Sequence, residues 1–272
     1  ITEPLKNMLD VIKKMSEGHL EQRVVVNKRS HNEISDLAEA CNNMADKLEQ
    51  VESTRQTFVS NVSHELKTPL SSIKVLSESI LLQEEVPKEM YVEFLQDINS
   101  EVDRMTEIIN DLLTLVKLDQ REIPIKYEMT DMVKLCGDIV KRLSPLAYAK
   151  NITIELIADK EVSAEVDSTK FTLAISNLVE NGIKYTDNGG KVSLYVDCDH
   201  QNAFFKVVDT GIGIAEEELG KIFNRFYRVD KTRDRETGGT GLGLSITHST
   251  VLMHNGSIKV TSKENEGTTF VV

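Results

Sequence analysis

The sequence predicts a multidomain α and α/β chain, with long paired helices in the N-terminal half and a mixed α/β sandwich after them. Three observations predict it. Apolar residues alternate at three and four positions through Ile34, Leu37, Cys41, Met44, Leu48 and Val51, then continue through Phe58, Val62, Leu66 and Ile73, the spacing of a coiled-coil seam. Aromatics make up only 5% of the chain, with no Trp, which suits cores built from Leu, Ile, Val and Met on long helices. After Arg121 the period changes to short alternating runs separated by helical stretches without strict βα alternation, as in a sandwich with its helices on one face of a sheet.

Composition bounds the function. At 272 residues, 40% hydrophobic and 28% charged, the chain has room for two or three domains. A net charge of −12 lacks the basic face that nucleic-acid binding needs. Cys41, Cys136 and Cys198 show no CxxC or metal-ligand spacing and read as buried or incidental thiols in a reducing compartment. No apolar run approaches a membrane span, and no signal peptide is present. The chain starts mid-pattern at Ile1 and stops inside a strand pattern at Val272, so it is expected to be a soluble fragment whose parent can carry membrane segments elsewhere.

In chain order, Leu5, Leu9, Ile12 and Met15 mark a short amphipathic helix ended by Gly18, and Gly18 to Asn32, with Val24-Val25-Val26, reads as an extended connector. Two such helices cannot bury their faces alone, which implies a dimer. The second seam passes without a break into a helix carrying Ser63-His64-Glu65-Leu66-Lys67-Thr68-Pro69-Leu70 and reaching about Leu82. His64 falls between seam positions and should look outward, with Glu65 beside it. Pro69 removes a hydrogen bond to the Glu65 carbonyl and should bend the helix just past the histidine. An outward imidazole beside a carboxylate is a nucleophile with a base at hand, although the octapeptide alone fits a solvated surface histidine as well. Gln83 to Lys88, with Pro87, reads as a turn. Phe94, Ile98, Met105, Ile108, Leu112 and Leu115 follow on a second long helix. The pair predicts an antiparallel hairpin, two of which make a four-helix bundle, and Pro124 marks the next boundary.

The C-terminal part offers strands at Lys126–Met129, Ile152–Leu156, Val192–Asp197, Phe204–Val208, Ile258–Thr261 and Thr269–Val272, with helices at Asp131–Ala149, Thr169–Tyr185 and Leu242–Met253. Four constellations there carry chemistry. Asn177, Asn181, Lys184 and Tyr185 share one helix face. An amide oxygen can join phosphates around Mg²⁺ and a lysine can neutralise them, while a plain polar face remains the alternative. Asp209-Thr210-Gly211-Ile212-Gly213 follows a strand, where a carboxylate can accept from an exocyclic amine and glycines admit a flat ring. Phe223-Asn224-Arg225-Phe226-Tyr227-Arg228 sets aromatics and arginines beside the charged run Lys231 to Glu236. Gly238-Gly239-Thr240-Gly241-Leu242-Gly243-Leu244 then enters a helix, favouring phosphate, yet matches neither a Walker loop nor the dinucleotide fingerprint.

Together and in this order, these motifs resemble a sensor histidine kinase of two-component signalling over essentially the full length. Thr2-x-Pro4-Leu5, Met15-Ser16-x-Gly18-x-Leu20, Glu33-Ile34 and Asn43-Met44 resemble a HAMP domain, with His31-Asn32-Glu33-Ile34-Ser35 departing slightly from its pattern. The resemblance implies a parallel HAMP four-helix coiled coil at 1–53, a dimerisation and histidine phosphotransfer hairpin at 54–121, and a catalytic ATP-binding domain of the Bergerat type at 122–272. It implies His64 as phosphoacceptor, Glu65 as its base and Thr68 as the residue orienting water in dephosphorylation. It further implies Asn181 as the Mg²⁺ ligand supported by Asn177, and Lys184, Tyr185 and Arg228 as phosphate or ribose contacts. Asp209 would read adenine, with Gly211 and Gly213 beside it, while Gly239, Thr240, Gly241, Leu242 and Gly243 would line lid and phosphates. The implied cofactors are ATP and Mg²⁺. The implied partners are a second copy and a response-regulator receiver domain, at the cytoplasmic side of a membrane reached through a helix preceding residue 1. Two other classes stay open on the residues alone: an ATPase transferring to water with Glu180 as base, and a non-catalytic scaffold.

Overall fold

Two units, residues 1–67 and 68–272, organise the chain in the computed structural model, which describes residues 2–25, 33–82, 87–119, 125–229 and 239–272. The expected features at Val26–Asn32, Gln83–Val86, Pro124 and Asp230–Gly238 lie outside the described residues.

In the first unit, α1 (Thr2–Ser16) ends ahead of Gly18, whose φ of +100° suits a residue without Cβ. The following segment returns along α2 (Glu33–Leu81), because Asn42 clamps it: Val24 N–H donates to Asn42 Oδ1 at 2.8 Å and Asn42 Nδ2 donates to the Val24 carbonyl at 2.9 Å. Arg23 adds ion pairs to Asp46 and Glu49. The single seam read from the sequence divides into two stripes. Met8, Met15, Val24, Ala38, Cys41 and Ala45 are buried together, the methionines and Val24 covering the small Ala38, Cys41 and Ala45. Leu5, Leu9, Ile12, Leu37, Met44, Leu48 and Val51 are turned away and exposed. The helix α2 continues through Pro69.

The second unit holds α3 (Lys88–Asp119), β1 (Glu128–Asp131), α4 (Met132–Ala149), β2 (Thr153–Ile157), β3 (Ser163–Val166) and α5 (Ser168–Tyr185). They are followed by β4 (Lys191–Cys198), β5 (Ala203–Asp209), α6 (Glu216–Leu219), α7 (Gly243–Met253), β6 (Lys259–Lys263) and β7 (Gly267–Val271). Five strands form one sheet in the order β2-β4-β5-β7-β6, with β2 and β4 parallel and the other pairs antiparallel; β1 and β3 form a separate antiparallel pair. Asp131 ends β1 and caps α4, its side chain accepting from Lys134 N at 2.9 Å, and Asp167 caps α5 through Lys170 N at 3.1 Å.

Alternation decides which face is covered. Val192, Leu194 and Val196 of β4 and Phe205 and Val207 of β5 turn inward against Ile139 and Leu143 of α4 and Phe171, Ile175, Leu178 and Val179 of α5. On the opposite face, Lys206 lies over the Tyr195 ring at 5.4 Å. The expected strands are present within two residues. β3 and α6 were not expected, and both are short segments without apolar periodicity. A smaller core joins α3 to α7: Leu115 and Leu118 are buried with Leu242 and Ile246, flanked by Leu112, Leu173, Phe226 and Met253. Among the described residues, no helix is long and apolar enough to cross a membrane.

Candidate functional site

Helix α5 builds one wall of the site. Its buried face carries Gly182, where a Cβ would come within 3.1 Å of Val192 Cγ1 and 3.6 Å of Asp209 Cβ, so the helix rides close over β4 and the end of β5. Its half-buried face presents Asn177, Asn181, Lys184 and Tyr185. Asn177 Nδ2 donates to the Gly243 carbonyl at 3.2 Å, joining this face to the start of α7, and Thr247 Oγ1 donates to the Ala174 carbonyl at 3.2 Å in the same seam.

The floor is Asp209, only 8% exposed at the end of β5. Its Oδ1 accepts from Gly211 N at 2.9 Å and from Thr268 N at 3.1 Å. Burial pushes this carboxyl above its ordinary range, and the two N–H groups pull it partly back. The glycines beside it are required by contact. A Cβ at Gly211 would strike the Tyr185 carbonyl, and one at Gly213, where φ is +70°, would strike the Lys263 carbonyl. Ile212 N–H donates to the Tyr185 carbonyl at 3.1 Å, tying this turn to the end of α5.

The second glycine loop is held by the aromatic segment. Phe226 N–H donates to the Gly241 carbonyl at 2.9 Å, and both residues have positive φ, +61° and +68°. Phe223 stacks obliquely on His248 at 5.2 Å, and Arg228 passes so close that a Cβ at Gly241 would meet its Cγ at 3.3 Å. Gly239 backs onto Lys184, whose Nζ occupies the space a Cβ would need. Two residues of this loop turn toward α3: Thr240 Oγ1 donates to Asp111 Oδ2 at 2.6 Å, and the Leu242 side chain is fully buried in the small α3–α7 core.

Negative charge gathers on that side. The Asp111 and Glu107 carboxyls are both held above their usual range, chiefly by desolvation. Thr240 opposes the shift at Asp111, while Asp111 itself adds to the one at Glu107, where Lys184 and Arg104 oppose it. Glu180 is raised in the same way, with Arg142 pulling down and Glu107 and Asp111 pushing up. Glycine and lysine thus form a cradle bordered by the Glu107 and Asp111 carboxyls of α3.

The second group of candidate residues lies on α2. His64 is 73% exposed, with Nδ1 4.0 Å from Glu65 Oε1, so Glu65 stands on the Nδ1 side of the ring. Thr68 is half-buried on the same helix. Sequence reasoning missed Thr268, Gly267, Glu107 and Asp111. Gly267 has φ +106° and leaves no room for a Cβ beside the Asp209 carbonyl; its only local signal is the Asn265-Glu266-Gly267 turn. Among the described residues, no three His, Cys, Asp or Glu side chains group as a metal site.

Residues 1–50 match the HAMP domain, residues 54–121 the His Kinase A (phospho-acceptor) domain, and residues 166–272 the histidine kinase-, DNA gyrase B-, and HSP90-like ATPase family. The chain is 34% identical over 244 residues to the sensor histidine kinase WalK of Bacillus subtilis, covering 89% of this chain and 40% of that protein. It is 38% identical over 229 residues to the sensor protein kinase WalK of Staphylococcus epidermidis, covering 82% and 37%. The chain therefore spans well under half the length of these two relatives. Among solved structures, histidine kinase ThkA in complex with response regulator protein TrrA aligns with a TM-score of 0.65 at 21% identity, over 83% of this chain and 64% of that one. The Acinetobacter baumannii histidine kinase AdeS aligns with a TM-score of 0.62 at 22% identity, over 76% and 95%. These two likenesses concern the fold.

Proposed function

Since this chain belongs to the sensor histidine kinases of two-component signalling, we propose that it transfers the terminal phosphoryl of ATP to His64 and then to an aspartate of a response-regulator receiver domain. The observation that carries this reading is the joint placement of the Asp209 floor, the α5 face and the two glycine turns around one cradle, in a chain that also presents the exposed His64–Glu65 pair.

Asp209 spends Oδ1 on two backbone N–H groups and has its other oxygen for the exocyclic amine of adenine, with Gly211 and Gly213 admitting the ring. Lys184, Tyr185 and Arg228 contact phosphates or ribose, and the backbone of Gly239, Thr240, Gly241, Leu242 and Gly243 borders them. Asn181 is the proposed ligand for Mg²⁺, with Asn177 supporting it. Their amide oxygens suit a hard cation, and Gly243 puts no side chain against Asn177, where a Cβ would lie 3.5 Å from the amide. Bound there, the ion supplies charge neutralisation. At the acceptor, His64 uses the Nε2 lone pair. The N–P bond forms as the bridging P–O bond breaks, ADP leaves, and the Nδ1 proton is on the side where Glu65 can take it. Positioning and charge neutralisation carry such transfers.

The test is incubation of the chain with γ-labelled ATP and Mg²⁺. Label that is acid-labile and alkali-stable supports the proposal, whereas phosphate release without labelled protein points to transfer to water and overturns it. Phosphatase activity toward the regulator belongs to the same proposal and is assigned to Thr68: Thr68→Ala should label normally while losing most regulator dephosphorylation. Equal loss of both activities would make Thr68 structural instead. The chain acts as a homodimer in this reading, because the exposed stripe of Leu37, Met44, Leu48 and Val51 continues the pattern of a parallel bundle. A monomer by sedimentation equilibrium at micromolar concentration would remove that element.

A further inference from the structure

Helix α5 offers its C-terminal end to the proposed phosphates, the wrong end for an anion. The last carbonyls of a helix lack intrahelical partners and carry partial negative charge, whereas phosphates gather at helix N-termini. The way α5 ends makes this acute. Its cap residue Thr186 is extended, at φ −93° and ψ 135°, so no glycine turn folds back over the final carbonyls. Two outside donors cover them instead. Ile212 N–H takes the Tyr185 carbonyl at 3.1 Å. Lys150, the cap residue of α4, extends its half-buried ammonium to the Ile183 carbonyl at 3.2 Å and the Lys184 carbonyl at 2.7 Å.

We propose that Lys150 is a positioning residue for the nucleotide's phosphates: it cancels the negative end of α5 and fixes the backbone from which Lys184 reaches the cradle beside Gly239. Lys150 touches no phosphate. Its effect passes through two carbonyls, and it depends on the charge of the ligand. This inference rests on the reading of the cradle as an ATP site.

The experiment compares ATP and adenosine binding to the full chain, ATP by calorimetry with Mg²⁺ and adenosine by NMR titration. Lys150→Met should weaken ATP roughly fivefold to thirtyfold, the range for removing a partly buried charge from a helix terminus. It should leave adenosine within about twofold, and Lys150→Arg should restore most of the ATP affinity. Lys150→Gln keeps a donor without the charge and should behave like Lys150→Met; it decides the matter if the methionine variant does not fold. Unchanged ATP affinity, or parallel loss of ATP and adenosine, would overturn the proposal, the latter because a merely loosened α4–α5 packing ignores ligand charge. Failure of the unsubstituted chain to bind ATP would overturn the underlying site reading instead, a separate result.

Discussion

His64→Ala is expected to take no label from γ-labelled ATP where the unsubstituted chain is labelled, a drop of about a hundredfold or more, as removal of the attacking group itself demands. The side chain is 73% exposed, so its removal should not disturb packing. Two of the other described histidines are poorer acceptors for stated reasons. His248 lies against Phe223, and His254 has Nδ1 on the Thr250 carbonyl at 2.7 Å and Nε2 accepting from Asp167 N at 3.0 Å. His19, with Nδ1 3.6 Å from Glu21, has the most similar surroundings, which makes His19→Ala the control that must keep its label. Label surviving in His64→Ala would mean that the acceptor was misassigned.

Asp209→Asn should weaken binding of a fluorescent ATP analogue roughly tenfold to a hundredfold, the usual cost of losing a hydrogen bond to a charged group. The substitution is selective. The amide oxygen still accepts from Gly211 and Thr268, while the new NH₂ opposes the amine of adenine. The sign for stability runs the other way. A carboxyl raised by burial contributes stability below its unfolded value and loses it as pH rises through the folded one, so the ionised form is a burden to the fold. The thermal midpoint of Asp209→Asn at pH 7 should therefore equal or exceed that of the unsubstituted chain. Unchanged nucleotide affinity would take Asp209 out of the site.

The legible parts were those written in local period. The three-four spacing located α2 and α3, alternation located the strands of the main sheet, and the glycine turns marked the borders of the cradle. Direction was harder to read. The seam of α2 gave no sign that Ala38 and Ala45, rather than Leu37 and Met44, would meet α1, because small and large apolar residues share one period. The resemblance puts Thr240 and Leu242 in a loop lining lid and phosphates, and their side chains face α3, a choice made by Asp111 and Leu115 from a distant stretch of chain. Thr268 and Lys150 act through backbone groups, Thr268 by donating its N–H and Lys150 by covering carbonyls, and backbone partners leave no residue-type signature.

The modest joint between α3 and α7 sets the order in which the second unit comes apart. Leu115, Leu118, Leu242 and Ile246 form a satellite beside the extensive core running from Met132 to Phe270. A patch of that size yields at a fraction of the free energy of global unfolding. Helix α3 should then detach and reseat repeatedly while the sheet stays intact, with faster amide exchange in its last turns than in α5. Each excursion frees Thr240 from Asp111, giving the rim of the cradle a breathing motion ahead of any chemistry.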